Sequence, residues 1–356
     1  MTDYRVACIG TGPDPETPVW GESAAMAYRH GAGYRKLDSC EIVACADLVR
    51  ENALAFADEF DIDEDHVYED YREMLTTAEP DIVSVCTPVP THADIVVDCA
   101  ESAVLEAIHC EKPMADTWAD SERMADACEE AGVQLTINHQ RRFDARWTEA
   151  KRLLDEGAIG DLRRLEMGGK NVFDYGSHLV DLCHYFNDER SVEWVIGQVD
   201  YRTEDVRYGT HNENQALAQW AYENGVEALA STGDGEALVD CHNRIVGTAG
   251  EVEILPNDGP DLRVRRADGS IEERDVEVET PLHLAIEHVV ESLDSGSEPV
   301  VAASRALSSL EVIFGVWESA RRRGRVDLPL EAGDNALEAM VESGDLSPRP
   351  AESDDE

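Results

Sequence analysis

The sequence predicts a doubly wound α/β domain built on a parallel sheet, followed by an α+β domain with a large, mainly antiparallel open sheet. Three observations lead there. Strand and helix signals alternate through the first 138 residues, the pattern of successive βαβ units. Ile82 to Cys86 is a continuous run rich in β-branched residues, the mark of a strand buried on both faces. After about residue 190, seven strand-like runs follow one another, and turns of hairpin chemistry join two pairs of them.

In chain order, Val6 to Ile9 is the first strand and ends in Gly10. A helix is expected from about Gly21 to Leu37, a second strand from Glu41 to Ala46 ending in Asp47, and a helix from Arg50 to Phe60. The buried strand at 82–86 precedes a helix over Ala93 to Ser102, a short strand at Ala107 to Cys110, a helix from Thr117 to Ala131 stopped by Gly132, and a strand at Gln134 to Asn138. Right-handed crossovers then place every strand's C-terminal end on one edge. The pattern changes near residue 140. Helices are expected over Phe143 to Glu156 and Gly176 to Phe186, with a short strand at Leu162 to Met167 between them. The seven runs are 192–201, 215–222, 226–231, 237–246, 251–255, 262–266 and 271–276, with turns at Glu223-Asn224-Gly225 and Ala267-Asp268-Gly269. Helices return at Pro281 to Leu293 and Ala303 to Arg323. The expected domains are 1–138 and 139–335, with an acidic, disordered tail at 343–356.

Composition narrows the function classes. The chain has 356 residues and a net charge of -46, from 76 acidic against 30 basic side chains. Such a surface repels phosphate backbones and anionic membranes, which excludes nucleic-acid and membrane partners. Only Lys36, Lys112, Lys151 and Lys170 are lysines. An acidic, lysine-poor chain resembles proteins of halophilic archaea, because molar salt shortens the Debye length to about 3 Å and screens self-repulsion. The cysteines number nine, with no CxxC pair, so neither a disulfide framework nor a metal site is expected. No signal peptide or apolar membrane span is visible, and a cytoplasmic setting is expected.

The first strand runs into Gly10-Thr11-Gly12, where backbone can approach a pyrophosphate at a helix N-terminus. A third glycine at the usual spacing is missing, residues 13–20 are inserted, and Gly21 opens the next helix. Asp47, at the end of the second strand, is placed to accept from a ribose 2′-OH and to repel a 2′-phosphate. The alternative for Asp47 is a helix N-cap. Together these predict a Rossmann domain for NAD, with NADP as the alternative cofactor.

Further along, Val85-Cys86-Thr87-Pro88 ends the fourth strand, with His92 four residues on. Cys110-Glu111-Lys112-Pro113 ends the fifth, His30 and Tyr34 form a His-x-x-x-Tyr pair, and Arg141-Arg142-Phe143 opens the linking segment. Asp174-Tyr175-Gly176-Ser177-His178-Leu179-Val180-Asp181 follows the first strand of the second domain. In this order and spacing the motifs resemble the Gfo/Idh/MocA family, the glucose-fructose oxidoreductase and inositol dehydrogenase group, over nearly the whole chain to about residue 330. The resemblance implies hydride transfer between a nicotinamide and a secondary alcohol of a sugar, polyol or sugar derivative. It also implies a homodimer or homotetramer. The chain departs from the family pattern in the inserted loop and in a short stretch between Leu162 and Asp174.

Alcohol oxidation needs a group to handle the O–H proton and a charge to stabilise the developing alkoxide. The resemblance assigns His178 as acid/base, Lys112 as oxygen polariser, and Asp174 as substrate ligand or orienter of His178. Gly10, Gly12, Gly21, Asp47, Thr87, Pro88, His92, Glu111 and Lys112 are expected around the cofactor. Each has a plainer alternative: Lys112 a solvated strand-end lysine, Asp174 a helix cap, His178 a buried histidine. Two other functions fit the same fold. One is a tightly held NAD reduced only transiently, in glycoside cleavage, isomerisation or dismutation; the other is a non-catalytic ligand sensor.

Overall fold

The computed structural model describes residues 4–13, 15, 26–256, 259–277 and 279–350. The chain divides into two compact units, the first comprising residues 1–115, 120–140 and 280–304, the second 116–119, 141–279 and 305–356.

In the first unit the elements are β1 (Tyr4–Ile9), α1 (Met26–Tyr34), β2 (Cys40–Ala46), α2 (Arg50–Phe60), β3 (Val67–Tyr68), α3 (Tyr71–Ala78), β4 (Ile82–Val85), α4 (His92–Glu101), β5 (Ala107–Cys110), α5 (Trp118–Ala131) and β6 (Gln134–Ile137). The strands form one parallel sheet in the order β3-β2-β1-β4-β5-β6. Strand order reverses between β1 and β4, the switch point where such sheets bind ligands. Val6, Ile82, Val83, Val85 and Ile108 are fully buried in this sheet, and each contributes about 1.5–3 kcal/mol of apolar burial. The short β3 and helix α3 were not anticipated. Two residues carry too little periodicity to announce a strand, although Asp70 caps α3 by accepting from the backbone N–H of Arg72. The start of α1 at Gly21 lies outside the described residues.

The second unit contains α6 (Ala145–Asp155), β7 (Leu162–Gly169), α7 (Gly176–Phe186), β8 (Val192–Asp200), β9 (Val206–Arg207), β10 (Thr210–His211), β11 (Gln215–Tyr222), β12 (Glu227–Thr232), β13 (Asn243–Gly247), β14 (Gly250–Ile254), β15 (Leu262–Arg266) and β16 (Ile271–Arg274). Helix α8 (Pro281–Ser295) returns the chain to the first unit, and α9 (Ala303–Arg322), β17 (Val326–Asp327) and α10 (Ala336–Glu342) follow. Among the described residues, nine strands form one sheet in the order β16-β15-β14-β13-β7-β12-β11-β8-β17, antiparallel except where β12 pairs with β7. Helix α9 covers β8 so closely that a Cβ at Gly197 would lie 2.7 Å from Val316.

Three expectations need correction here. The strand expected over 237–246 is only Asn243–Gly247. Ala237 and Leu238 instead end a 3₁₀ turn that runs from Gly233, in which Gly233 takes a φ of 59° and the Gly235 carbonyl accepts from Ser231. The helix expected from Phe143 begins at Ala145, after a 3₁₀ turn at Gln140–Phe143, because Asp144 caps it by accepting from the Arg146 N–H. The tail expected to be disordered from 343 is placed as far as residue 350, and Arg349 bridges to Thr203. Its last residues, 351–356, lie outside the described ones.

Candidate functional site

In the first unit the C-terminal ends of β1, β2, β4 and β5 bring the expected cofactor residues to one sheet edge. Gly10 and Gly12 have φ of 80° and 65°, values that a side chain disfavours. A Cβ at Gly10 would stand 2.5 Å from Thr87 Cγ2 and 3.0 Å from the Cys86 carbonyl carbon. The glycine therefore lets the ends of β1 and β4 meet. Asp47 Oδ2 accepts from the Gly12 N–H at 2.9 Å and from the Thr11 hydroxyl at 3.1 Å. Its Oδ1 accepts from the Val49 N–H at 2.9 Å. The Asp47 carboxylate thus braces the glycine turn, and no side chain caps α2. Gly21 lies outside the described residues.

Glu111 is buried below this edge. Its Oε1 lies 2.8 Å from His30 Nε2 and accepts from Asn138 Nδ2 at 2.6 Å; its Oε2 accepts from the Lys112 N–H at 3.2 Å. Burial would raise this carboxyl, but bonding to His30, then His30's charge, Asn138 and Lys112 outweigh burial and hold it at about 2. His30 Nδ1 meets Ser84 Oγ at 3.1 Å, and Ser84 donates to the Tyr34 hydroxyl at 3.2 Å. The His-x-x-x-Tyr pair is thereby part of the network that fixes Glu111 and the backbone of Lys112, which is itself half-buried.

His92 differs from the expectation of a cofactor contact. Its ring is fully buried, with Nε2 2.8 Å from the Thr87 carbonyl and Nδ1 3.1 and 3.2 Å from those of Pro113 and Met114. It ties the loop after β4 to the loop after β5, and so acts on Thr87 and Lys112 through backbone. Thr87 is half-buried and Pro88 exposed.

In the second unit, Asp174 and His178 lie at the C-terminal end of β7. The intervening segment has no regular structure, so its N–H groups need other acceptors. Glu213 Oε1 takes the Val172 N–H at 2.6 Å, Asn212 Oδ1 the Asp174 N–H at 3.1 Å, and Asn171 Oδ1 the Tyr175 N–H at 2.8 Å. Asn212 and Glu213 escaped the sequence reading, because contacts across about 40 residues leave no period. Burial raises the Glu213 carboxyl to about 7, against the bonds from Val172, Trp317 and Thr232 that pull it down. Asp174 precedes α7 and is half-buried, 3.9 Å from Arg207 Nη1. His178 sits in the first turn of α7 and is 6% exposed. Asp181, one turn on, receives Arg142 through two nitrogens at 2.7 and 2.8 Å, a buried structural pair.

The structure thus groups Gly10, Gly12, Asp47, Thr87, Pro88, Glu111 and Lys112 on one unit, and Asp174 and His178 on the other. The first group fits a dinucleotide: it has a glycine cradle that a Cβ would fill and a carboxylate at the end of β2. Among the described residues no helix is long and apolar enough to cross a membrane.

Comparison with known proteins agrees. Residues 19–139 match the family model for the oxidoreductase family's NAD-binding Rossmann fold, and residues 161–328 match that for the family's C-terminal alpha/beta domain. The chain is 26% identical to the D-xylose 1-dehydrogenase [NADP(+)] of Haloarcula marismortui over 82% of this chain and 87% of that one. It is 25% identical to the scyllo-inositol 2-dehydrogenase (NAD(+)) of Bacillus subtilis, over 74% and 82% respectively. A D-apiose dehydrogenase of Paraburkholderia graminis is 28% identical over 56% of each chain, so about half of that relative's length is spanned. Among solved structures, an aldose-aldose oxidoreductase from Caulobacter crescentus complexed with glycerol shares the fold, with a TM-score of 0.75 and 23% identity over 92% of this chain and all of that one.

Proposed function

The chain belongs to the Gfo/Idh/MocA oxidoreductase family, and on that premise we propose that it is a dehydrogenase of a secondary alcohol on a sugar or polyol, preferring NAD, with Lys112, His178 and Asp174 at the reacting carbon. The observation that carries this reading is the seating of Lys112 after β5, on the same sheet edge as the glycine cradle after β1, with its backbone N–H held by the buried Glu111. The bound nicotinamide supplies the hydride acceptor. Lys112 holds the substrate oxygen and stabilises its developing negative charge. His178 takes the hydroxyl proton, and Asp174 orients substrate from the braced segment before α7. The names of the relatives support the substrate class. A screen of sugars and polyols with both cofactors, in concentrated KCl, tests the proposal. Saturable turnover with one of them is expected; inactivity across the panel in a sample that binds NAD would contradict it.

The cofactor preference rests on Asp47. Asp47→Ser removes the charge that opposes a 2′-phosphate, and the NAD-to-NADP ratio of affinities is expected to fall about tenfold, or ~1.4 kcal/mol. Wild-type protein binding NADP more tightly at matched salt would refute the assignment.

The halophilic, cytoplasmic setting and the homo-oligomeric state belong to the same proposal. They are supported by the net charge of -46 and by the exposed apolar side chains of Ile196 and Leu217 on the nine-stranded sheet. The melting temperature is expected to rise by several degrees from dilute buffer to molar KCl, and a flat or falling curve would end the halophile reading.

A further inference from the structure

One concave site in the second unit is lined by none of the residues assigned to the reacting carbon. It is a cavity of about 410 Å³ lined by Lys170, Arg202, Thr203, Asn214, Asp234 and Arg349, with Asp205 and Glu213 also on its wall. In a chain with 76 acidic and 30 basic side chains, a cation should find a carboxylate. The carboxylates here are already engaged. Asp234 accepts from Arg202 at 3.2 Å, Asp205 from Arg207 at 2.9 Å, and Glu213 from the Val172 N–H and from Trp317 Nε1 at 3.2 Å. Lys170 and Arg349, by contrast, pair with no carboxylate among the described residues. The wall therefore carries three cations and three carboxylates, and its two unpaired cations leave donors for an added anion.

Arg349 is fixed there by backbone. Its N–H donates to the Arg202 carbonyl at 2.8 Å, and its carbonyl accepts from the Glu204 N–H at 2.7 Å. The 202–203 backbone is itself held, with both N–H groups donating to Asn214 Oδ1 at 2.7 and 2.8 Å. A guanidinium on an anchored strand-like segment, lining the same cavity as a lysine just past β7, offers donors for two-point recognition of a planar or tetrahedral oxyanion.

We propose that this cavity is a binding site for a small oxyanion, the phosphate or carboxylate group of a metabolite, held between Lys170 and Arg349. The proposal concerns binding alone and stands whether or not the dehydrogenase reading does. Calorimetric titration of the full chain at neutral pH and constant KCl, with inorganic phosphate in one arm and succinate in the other, tests it. Saturable binding of one mole per mole is expected in at least one arm; phosphate alone identifies a phosphate ligand, succinate alone a carboxylate. Lys170→Met and Arg349→Met should each weaken that binding about tenfold, the loss of one charge-assisted contact. Arg349→Lys should restore part of it. Arg163→Met, which removes an exposed cation outside the cavity, should leave it unchanged. Retained NAD binding and an unaltered melting curve report that each variant is folded. No saturable binding in either arm overturns the proposal, as does a loss in Arg163→Met equal to that in the cavity variants.

Discussion

Lys112→Met is expected to lower kcat by about 100-fold or more, the effect of deleting one preorganised donor to a developing oxyanion. Methionine keeps the length and apolar stem of lysine but removes the ammonium. The backbone of Lys112 is held independently of its side chain, since its N–H donates to Glu111 Oε2 and Glu111 is fixed by His30 and Asn138. The edge of β5 should therefore survive the substitution, and NAD affinity should change several-fold at most. Steady-state kinetics with an NAD-binding titration separates the outcomes. Near-normal turnover in Lys112→Met would remove the lysine from the chemistry, whereas loss of NAD binding would make its role structural.

His178→Asn is expected to cost roughly 10²–10⁴-fold, the span of general acid–base catalysis, and to flatten the limb of the pH–rate profile that reports this base. The rest of α7 argues that the change stays local. Its second turn is secured by the buried Arg142–Asp181 pair, and the backbone leading into it by Asn171, Asn212 and Glu213. The proposal requires His178 and Lys112 to act on the same substrate oxygen. Their substitutions should therefore be far from additive, the double variant losing little more than the worse single one. Strict additivity would mean that the two groups serve different steps.

The parts of the site legible in the sequence are those set by strand ends. A strand followed by Gly10-Thr11-Gly12, a carboxylate at Asp47 and Glu111-Lys112-Pro113 all announce themselves, because the C-terminal edge of a parallel sheet is where side chains meet a ligand. What stayed hidden follows from long-range polar contacts. Nothing in the sequence connects Glu213 to Val172 or His92 to Pro113, since such bonds depend on how loops fold past each other. His92 was accordingly expected beside the cofactor, whereas its ring is spent joining two loops. The strand β3 was missed because two residues show no alternation. The strand expected over 237–246 begins too early because Ala237, Leu238, Val239 and Cys241 form an apolar run into it, whereas Ala237 and Leu238 end a 3₁₀ turn and the strand starts at Asn243.

Transfer of isotope from substrate carbon to cofactor tests the central claim most directly. Protein in concentrated KCl is incubated with NAD and a panel of sugars and polyols deuterated at their secondary carbinol carbons, and the nicotinamide is then analysed by mass spectrometry. Deuterium is expected on the reduced nicotinamide ring with at least one substrate, and its appearance should slow about 100-fold or more in Lys112→Met. Complete retention of deuterium on carbon throughout the panel, by protein that binds NAD, would contradict hydride transfer from a sugar or polyol alcohol.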